Sequence, residues 1–80
     1  MITVAQLRAA RGLLGWNQSK LAEASGLALS TIKRMEASQG HLRGTAANVW
    51  KLQQALRGAG VIFIDEDDEG PGVRLRKQRD

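Results

Sequence analysis

Apolar residues recur at helical spacing in four stretches of this chain, and after Gly60 the period changes. Val4, Leu7, Ala10 and Leu14 follow one another at three- or four-residue steps and predict a first helix over 4–14. Thr3 and Gln6 have the spacing of a capping box, in which each side chain satisfies the other's backbone N–H, and Gly15 supplies the stop. Asn17 is a good N-cap for a second helix over 18–25, with Trp16 before the cap and Leu21 one turn inside it, the pair that forms a hydrophobic staple. Gly26 breaks the chain, Leu27 plugs the turn into the core, and a third helix is predicted over 28–37. Ser38, Gln39, Gly40, His41 and Gly44 mark a loop. Thr45 can cap a fourth helix over 46–59, with Val49, Leu52, Ala55 and Leu56 on its apolar stripe and Gly60 as its stop. Beyond it, 61–65 is a β-type run, 66–72 an acidic Gly/Pro turn, and 73–77 alternates apolar with basic residues. That pattern predicts a β-hairpin with a loop longer than the tightest types. The expected organisation is a helical bundle over 1–60, a hairpin over 61–77 that extends the same domain, and a frayed end at 78–80.

Residues 18–36 therefore read as two short helices joined at one glycine, the layout of a helix-turn-helix, whose second helix is offered to the DNA major groove. At about 100° per residue, and with Ile32 at zero, Ala28 and Met35 lie within roughly 60° on the core side of that second helix. Ser30, Lys33, Arg34 and Ala37 lie between roughly 100° and 200° on the open side, with Leu29 at the boundary. Such a face suits base edges and thymine methyl groups, and it is also what an ordinary solvated helix face looks like. The same wheel puts Arg11 about 40° from Leu7 and Glu36 about 40° from Ile32, each at the edge of an apolar stripe. Partly buried charges need partners. Glu23 and Glu36 are the acids of the helical region, so Arg11 is expected to pair with Glu36 and tie the first helix to the third.

Composition narrows the chemistry. Eighty residues allow one small core. With 42% hydrophobic and 25% charged residues the chain should fold. It has no cysteine, which excludes disulfides, thiol catalysis and thiolate metal sites, and its one histidine, His41, offers no basis for a histidine metal site or a Ser-His pair. No metal, cofactor or enzymatic activity is expected. No apolar run approaches the roughly 18 residues of a membrane helix, and the N-terminus lacks the apolar block of a signal peptide, so a cytoplasmic, bacterial protein is expected. Residues 1–60 hold eight Lys/Arg against two Glu, a charge of +6, whereas 61–80 hold four Lys/Arg against six Asp/Glu, a charge of −2. The helical region is thus a basic body suited to a polyanion, or one carrying a solubilising surface.

The combination of Gln18, Leu21-Ala22, Gly26, Thr31-Ile32 and Glu36, within LRAARGLLGWNQ, LAEASGL and STIKRME, resembles the phage repressor/Cro-type (XRE) helix-turn-helix family over about residues 4–58. The resemblance implies a mainly α, lambda-repressor-like bundle of four or five helices, and a transcriptional regulator that binds a palindromic operator in double-stranded DNA as a dimer, most often as a repressor. Carried over residue by residue, it implies that Gln18 contacts phosphate or base, that Leu29, Ser30, Lys33 and Arg34 occupy base-reading positions, and that Arg43 contacts the backbone. It also matches Arg11 and Glu36 to the family's helix 1 arginine and helix 3 glutamate. The chain departs from the family where Ala28 replaces a polar N-cap, where Leu29 stands at a position often polar, and where a hairpin replaces a fifth helix.

A two-stranded hairpin is marginal alone and leaves unpaired edges. Val61, Phe63, Val73 and Leu75 can form one apolar face, with Ile62 and Ile64 opposite, so a face or an edge is free to meet a second subunit. Trp50 lies about 160° from Leu52 on the fourth helix, either as an interface anchor or packed beneath the chain's own hairpin. Trp50, Val61, Phe63, Val73 and Leu75 are thus the candidate homodimer residues. A competing expectation is an antitoxin-like or regulatory module that binds another protein through the hairpin.

Overall fold

Side-chain caps set where the helices begin. In the computed structural model, which describes residues 2–77, α1 (Val4–Leu14) opens on the reciprocal pair of Thr3 and Gln6. The Gln6 backbone N–H donates to Thr3 Oγ1 at 3.0 Å, and the Thr3 N–H donates to Gln6 Oε1 at 2.8 Å. The Lys20 N–H donates to Asn17 Oδ1 at the start of α2 (Gln18–Ser25), and the Asn48 N–H donates to Thr45 Oγ1 at the start of α4 (Ala46–Gly58). The helix between them, α3 (Leu29–Ala37), has no side-chain cap, because Ala28 stands at that position in an extended conformation. Ala28 is exposed, not on the core side where the helical wheel put it, since a wheel angle holds only for helical backbone. Gly26 ends α2 at φ +75°, in the left-handed region that favours glycine.

Leu7, Leu21, Ile32, Leu42, Leu52, Leu56 and Val61 form the fully buried centre, drawn from every helix, the α3–α4 loop and the hairpin. Leu42 enters because the loop is stitched to the N-terminal segment: the Val4 N–H donates to Gly40 O at 2.9 Å, the Leu42 N–H donates to Ile2 O at 3.0 Å, and Thr3 bridges to His41. Ile2 is buried by the same stitching.

Strands β1 (Val61–Ile64) and β2 (Gly72–Leu75) pair antiparallel, Val61 with Leu75, Ile62 with Arg74, Phe63 with Val73 and Ile64 with Gly72. Both are shorter than the runs read from the sequence. Asp65 belongs to the turn, which closes on itself through the Asp67 N–H to Glu69 O and the Glu69 N–H to Asp67 Oδ1. The register puts Val61, Phe63, Val73 and Leu75 on one face, and that face rests on the helices: Val61 is buried, and Phe63 and Val73 pack against the core. Strand β2 lies along α1 and β1 along α4. Gln6 Nε2 fastens the hairpin's far end by donating to Ile64 O at 3.2 Å and Gly72 O at 3.0 Å. No helix among the described residues is long and apolar enough to cross a membrane. The expected frayed end, 78–80, lies outside the described residues.

Candidate nucleic-acid interface

The turn between α2 and α3 sets α3 across the bundle with one side down and one side free. Ile32 and Met35 are buried and Leu27 packs against the core, so the underside of α3 is fixed by apolar contact. On the other side Ser30, Lys33 and Arg34 are exposed, with Leu29 at the margin. Among the described residues Lys33, Arg34 and Arg43 enter no ion pair or side-chain hydrogen bond, so all three charges are available to a ligand.

The far end of α3 is held by two arginines from α1. Arg11 Nε donates to Glu36 Oε2 at 2.7 Å and Arg11 Nη2 donates to Glu36 Oε1 at 2.8 Å, a bidentate pair, while Arg11 Nη1 donates to Trp16 O at 2.9 Å. Glu36 is buried and Arg11 half-buried. The hydrogen bonds to Glu36 raise the Arg11 pKa above its ordinary value, against the opposing effect of burial. Arg8 Nη2 donates to the Glu36 carbonyl, which otherwise ends the helix without an intrahelical partner. The helical wheel shows no sign of Arg8 in this role, because its acceptor is a backbone carbonyl, which no pattern of side chains marks.

Gln18 sits half-buried in the first turn of α2, beside the Asn17 cap. Near it Lys20 lies over the Trp16 ring, 5.9 Å from the centroid, and 3.7 Å from Glu23. Arg43 lies beyond α3 but converges with Arg34 on a cleft of about 410 Å³, lined also by Thr31, Ser38, Thr45 and Asn48 and floored by Met35 and Gly44. Gly44 is at φ +151°, and a Cβ there would stand 3.2 Å from Met35 Cε, so glycine permits the approach that carries Arg43 to this rim. Two guanidinium groups beside several hydroxyls form a site that fits the oxygens of a phosphate group. Thr31, Ser38, Thr45 and Asn48 do not stand out in the sequence as ligand-binding residues. The spacing of Thr31 from Arg34, one turn apart on α3, is the signal that could have found the first of them.

The candidate subunit-interface residues separate into two groups. The Val61 side chain is walled into the core at 1% exposure, and Phe63 and Val73 lie mainly beneath the hairpin, with the Arg57 guanidinium over the Phe63 ring. Trp50 is 63% exposed and Leu75 40% exposed. Trp50 does not pack beneath the hairpin; it borders a groove with Gly44, Ala46, Val49 and Gln53 on α4.

No curated protein sequence matches the chain significantly. The family model described as helix-turn-helix matches residues 7–57, a span that contains all of α2, the turn, α3 and the loop carrying Arg43. With the match covering most of the chain, and α3 presenting a polar basic face from a locked underside, the chain belongs to the helix-turn-helix family of the XRE type and is a DNA-binding regulator.

Proposed function

We propose that the chain is a sequence-specific transcriptional repressor that binds a palindromic operator as a homodimer. The observation that carries this reading is the unpaired Ser30, Lys33 and Arg34 face on a helix whose other side is immobilised by Ile32, Met35 and the Arg11–Glu36 pair. A rigid helix holds its side chains at fixed positions against base edges, as direct readout requires. Lys33 and Arg34 are suited to guanine O6 and N7, and Leu29 to a thymine methyl. Gln18 at the start of α2, and Arg43 from the loop after α3, serve the sugar-phosphate backbone on either side.

One α3 reads half a site. In a twofold dimer two copies enter successive major grooves, about 34 Å apart, and the operator repeats the half-site as a palindrome. A dimer bound across a promoter represses by occupying it. Of the candidate interface residues Trp50 and Leu75 are the exposed ones, and the proposal draws its interface from the surfaces around them.

Selection of bound sequences from random DNA tests the reading. The wild-type chain should enrich an inverted repeat, and the Lys33→Ala/Arg34→Ala variant should lose preference at defined positions within each half-site. An unchanged preference in the variant would remove both residues from base reading.

A further inference from the structure

The two edges of the hairpin are not equivalent. The Arg76 N–H donates to Gly60 O at 2.7 Å, so the ladder's hydrogen-bonded pairs are Gly60/Arg76, Ile62/Arg74 and Ile64/Gly72. Val61 and Phe63 therefore direct their backbone N–H and C=O out of the sheet on the β1 side, and Val73 and Leu75 on the β2 side. The β1 edge is closed at Val61, where 1% exposure leaves no room for another strand. The β2 edge is open. The outward groups of Val73 and Leu75 have no hydrogen-bond partner among the described residues, and a groove of about 530 Å³ runs beside Pro71, Gly72 and Val73 with Ala5 and Ala9 of α1 along its other wall. The alanines leave space that larger side chains would fill.

Charge identifies the occupant. Five acids stand before this strand, Asp65 to Glu69, and four bases stand on or after it, Arg74, Arg76, Lys77 and Arg79. A segment whose charge reverses across its middle is complementary to itself when paired antiparallel, because each acidic end meets the partner's basic end. We propose that β2 pairs with β2 of a second copy about a twofold axis at Val73, joining the two hairpins into one four-stranded antiparallel sheet. This rests on the dimeric reading above and names its interface. Val73 then exchanges both backbone hydrogen bonds with the partner's Val73, Arg74 and Arg76 lie opposite the partner's Gly72 and Gly70, and Lys77 lies beside the partner's Glu69. A two-residue shift of the register would put Arg74 against the partner's Arg74. In the proposed register Pro71 falls at the ends of the pairing, where its C=O accepts the N–H of the partner's Leu75 and the C=O of the partner's Leu75 stays toward solvent. A shift the other way would move Pro71 opposite the partner's Val73, beside the axis, and remove hydrogen bonds from the centre of the pairing.

Within one chain Glu69 is in the turn and Lys77 is beyond the opposite end of β2, at least roughly 10 Å away along the strand. Coupling between them can therefore arise only between copies, and sedimentation equilibrium of the full chain without DNA measures it. Glu69→Lys alone and Lys77→Glu alone should each weaken dimerisation about tenfold, since a twofold interface contains the contact twice and each reversal turns attraction into repulsion. Glu69→Lys/Lys77→Glu should return the affinity to within about twofold of wild type. At concentrations low enough for every variant to be monomeric all three should melt with the wild-type chain, and the wild-type Val73 amide should exchange more slowly as concentration rises. A dimer indifferent to the single reversals, or a double variant as weak as the singles, overturns the edge pairing and leaves the dimeric reading standing. If Trp50→Ala then dissociates it, the interface is on α4. A wild-type chain monomeric at high micromolar concentration overturns the dimeric reading as well. The selection experiment judges the base-reading face independently.

Discussion

Glu36, at the C-terminal end of α3, is bound to Arg11 of α1 through both carboxylate oxygens. Its side chain is 4% exposed and that of Arg11 is 21% exposed, and this asymmetry sets the outcome of breaking the pair. Arg11→Ala leaves a buried carboxylate with no counter-charge and should cost about 3 kcal/mol. Glu36→Ala leaves an arginine that keeps its bond to Trp16 O and can turn toward water, and should cost less, about 1–2 kcal/mol. Urea denaturation of the two variants checks both the loss and the order. Equal stability of Glu36→Ala and wild type would make the pair dispensable to the fold.

Gln6 uses its whole amide. Its Oε1 accepts from the Thr3 N–H, and its Nε2 donates to Ile64 O and Gly72 O, joining the first turn of α1 to the far end of the hairpin. Gln6→Glu keeps the acceptor for Thr3 but sets a carboxylate oxygen against two carbonyls. It should destabilise by about 2 kcal/mol, more than Gln6→Ala, which leaves the carbonyls unpaired without the repulsion. Hydrogen exchange should quicken first in the hairpin amides, with α2 and α3 retaining their protection. Uniform acceleration across the chain would mean that the clip is not specific to the hairpin.

Ala28 occupies an N-cap with the extended backbone of one, φ −67° and ψ 146°, but offers no acceptor. Ala28→Ser supplies a hydroxyl to the first turn of α3 without adding charge near the DNA-facing side. A gain of about 1 kcal/mol is expected. In a domain of this size that raises the melting temperature by about 4–8 °C. Calorimetry checks it, and no rise would mean that the hydroxyl does not reach the free N–H groups.

The helices were legible because their signals are local. Thr3, Asn17 and Thr45 each cap the helix their position announced, and Gly15 and Gly26 end theirs in left-handed conformations. Helical angle also brought Arg11 and Glu36 into view, since a charge beside an apolar stripe in a helical region whose acids are Glu23 and Glu36 has few possible partners. What depends on distant segments meeting could not be read. Leu42 looked like part of a polar loop, and it is buried because Gly40 and Leu42 bond to the N-terminal segment. Gln6 was visible as a capping residue, but the use of its amide hydrogens required the hairpin to return to α1. Val61 was expected among the interface residues because strand alternation tells which residues share a face, and not whether that face meets the chain's own core or another subunit. The same limit left two places open for Trp50, and its exposure, in a groove with Gly44 and Ala46, excludes the one beneath the hairpin.

Arg34 and Arg43 border one cleft, yet they should respond differently to substitution. Arg34 is on α3 beside Lys33 and Ser30, whereas Arg43 comes from the loop after it and, in the proposed complex, meets the DNA from outside the groove. A base contact contributes to sequence preference, and a phosphate contact contributes a counterion-release term that is the same for every sequence. Arg43→Ala should therefore weaken binding to operator and non-operator DNA alike. Each subunit of the variant neutralises one phosphate fewer, so the slope of log affinity against log salt should become shallower by about 2 for a dimer. Arg34→Ala should lower operator affinity more than non-operator affinity and relax the preference at one position in each half-site, by about 1–3 kcal/mol per base pair. Binding titrations across a salt series, on the selected operator and on a scrambled sequence, separate the two. If Arg43→Ala instead altered the preferred sequence at constant salt slope, the roles of loop and helix would be reversed, and the cleft between them would belong to a base edge rather than to a phosphate.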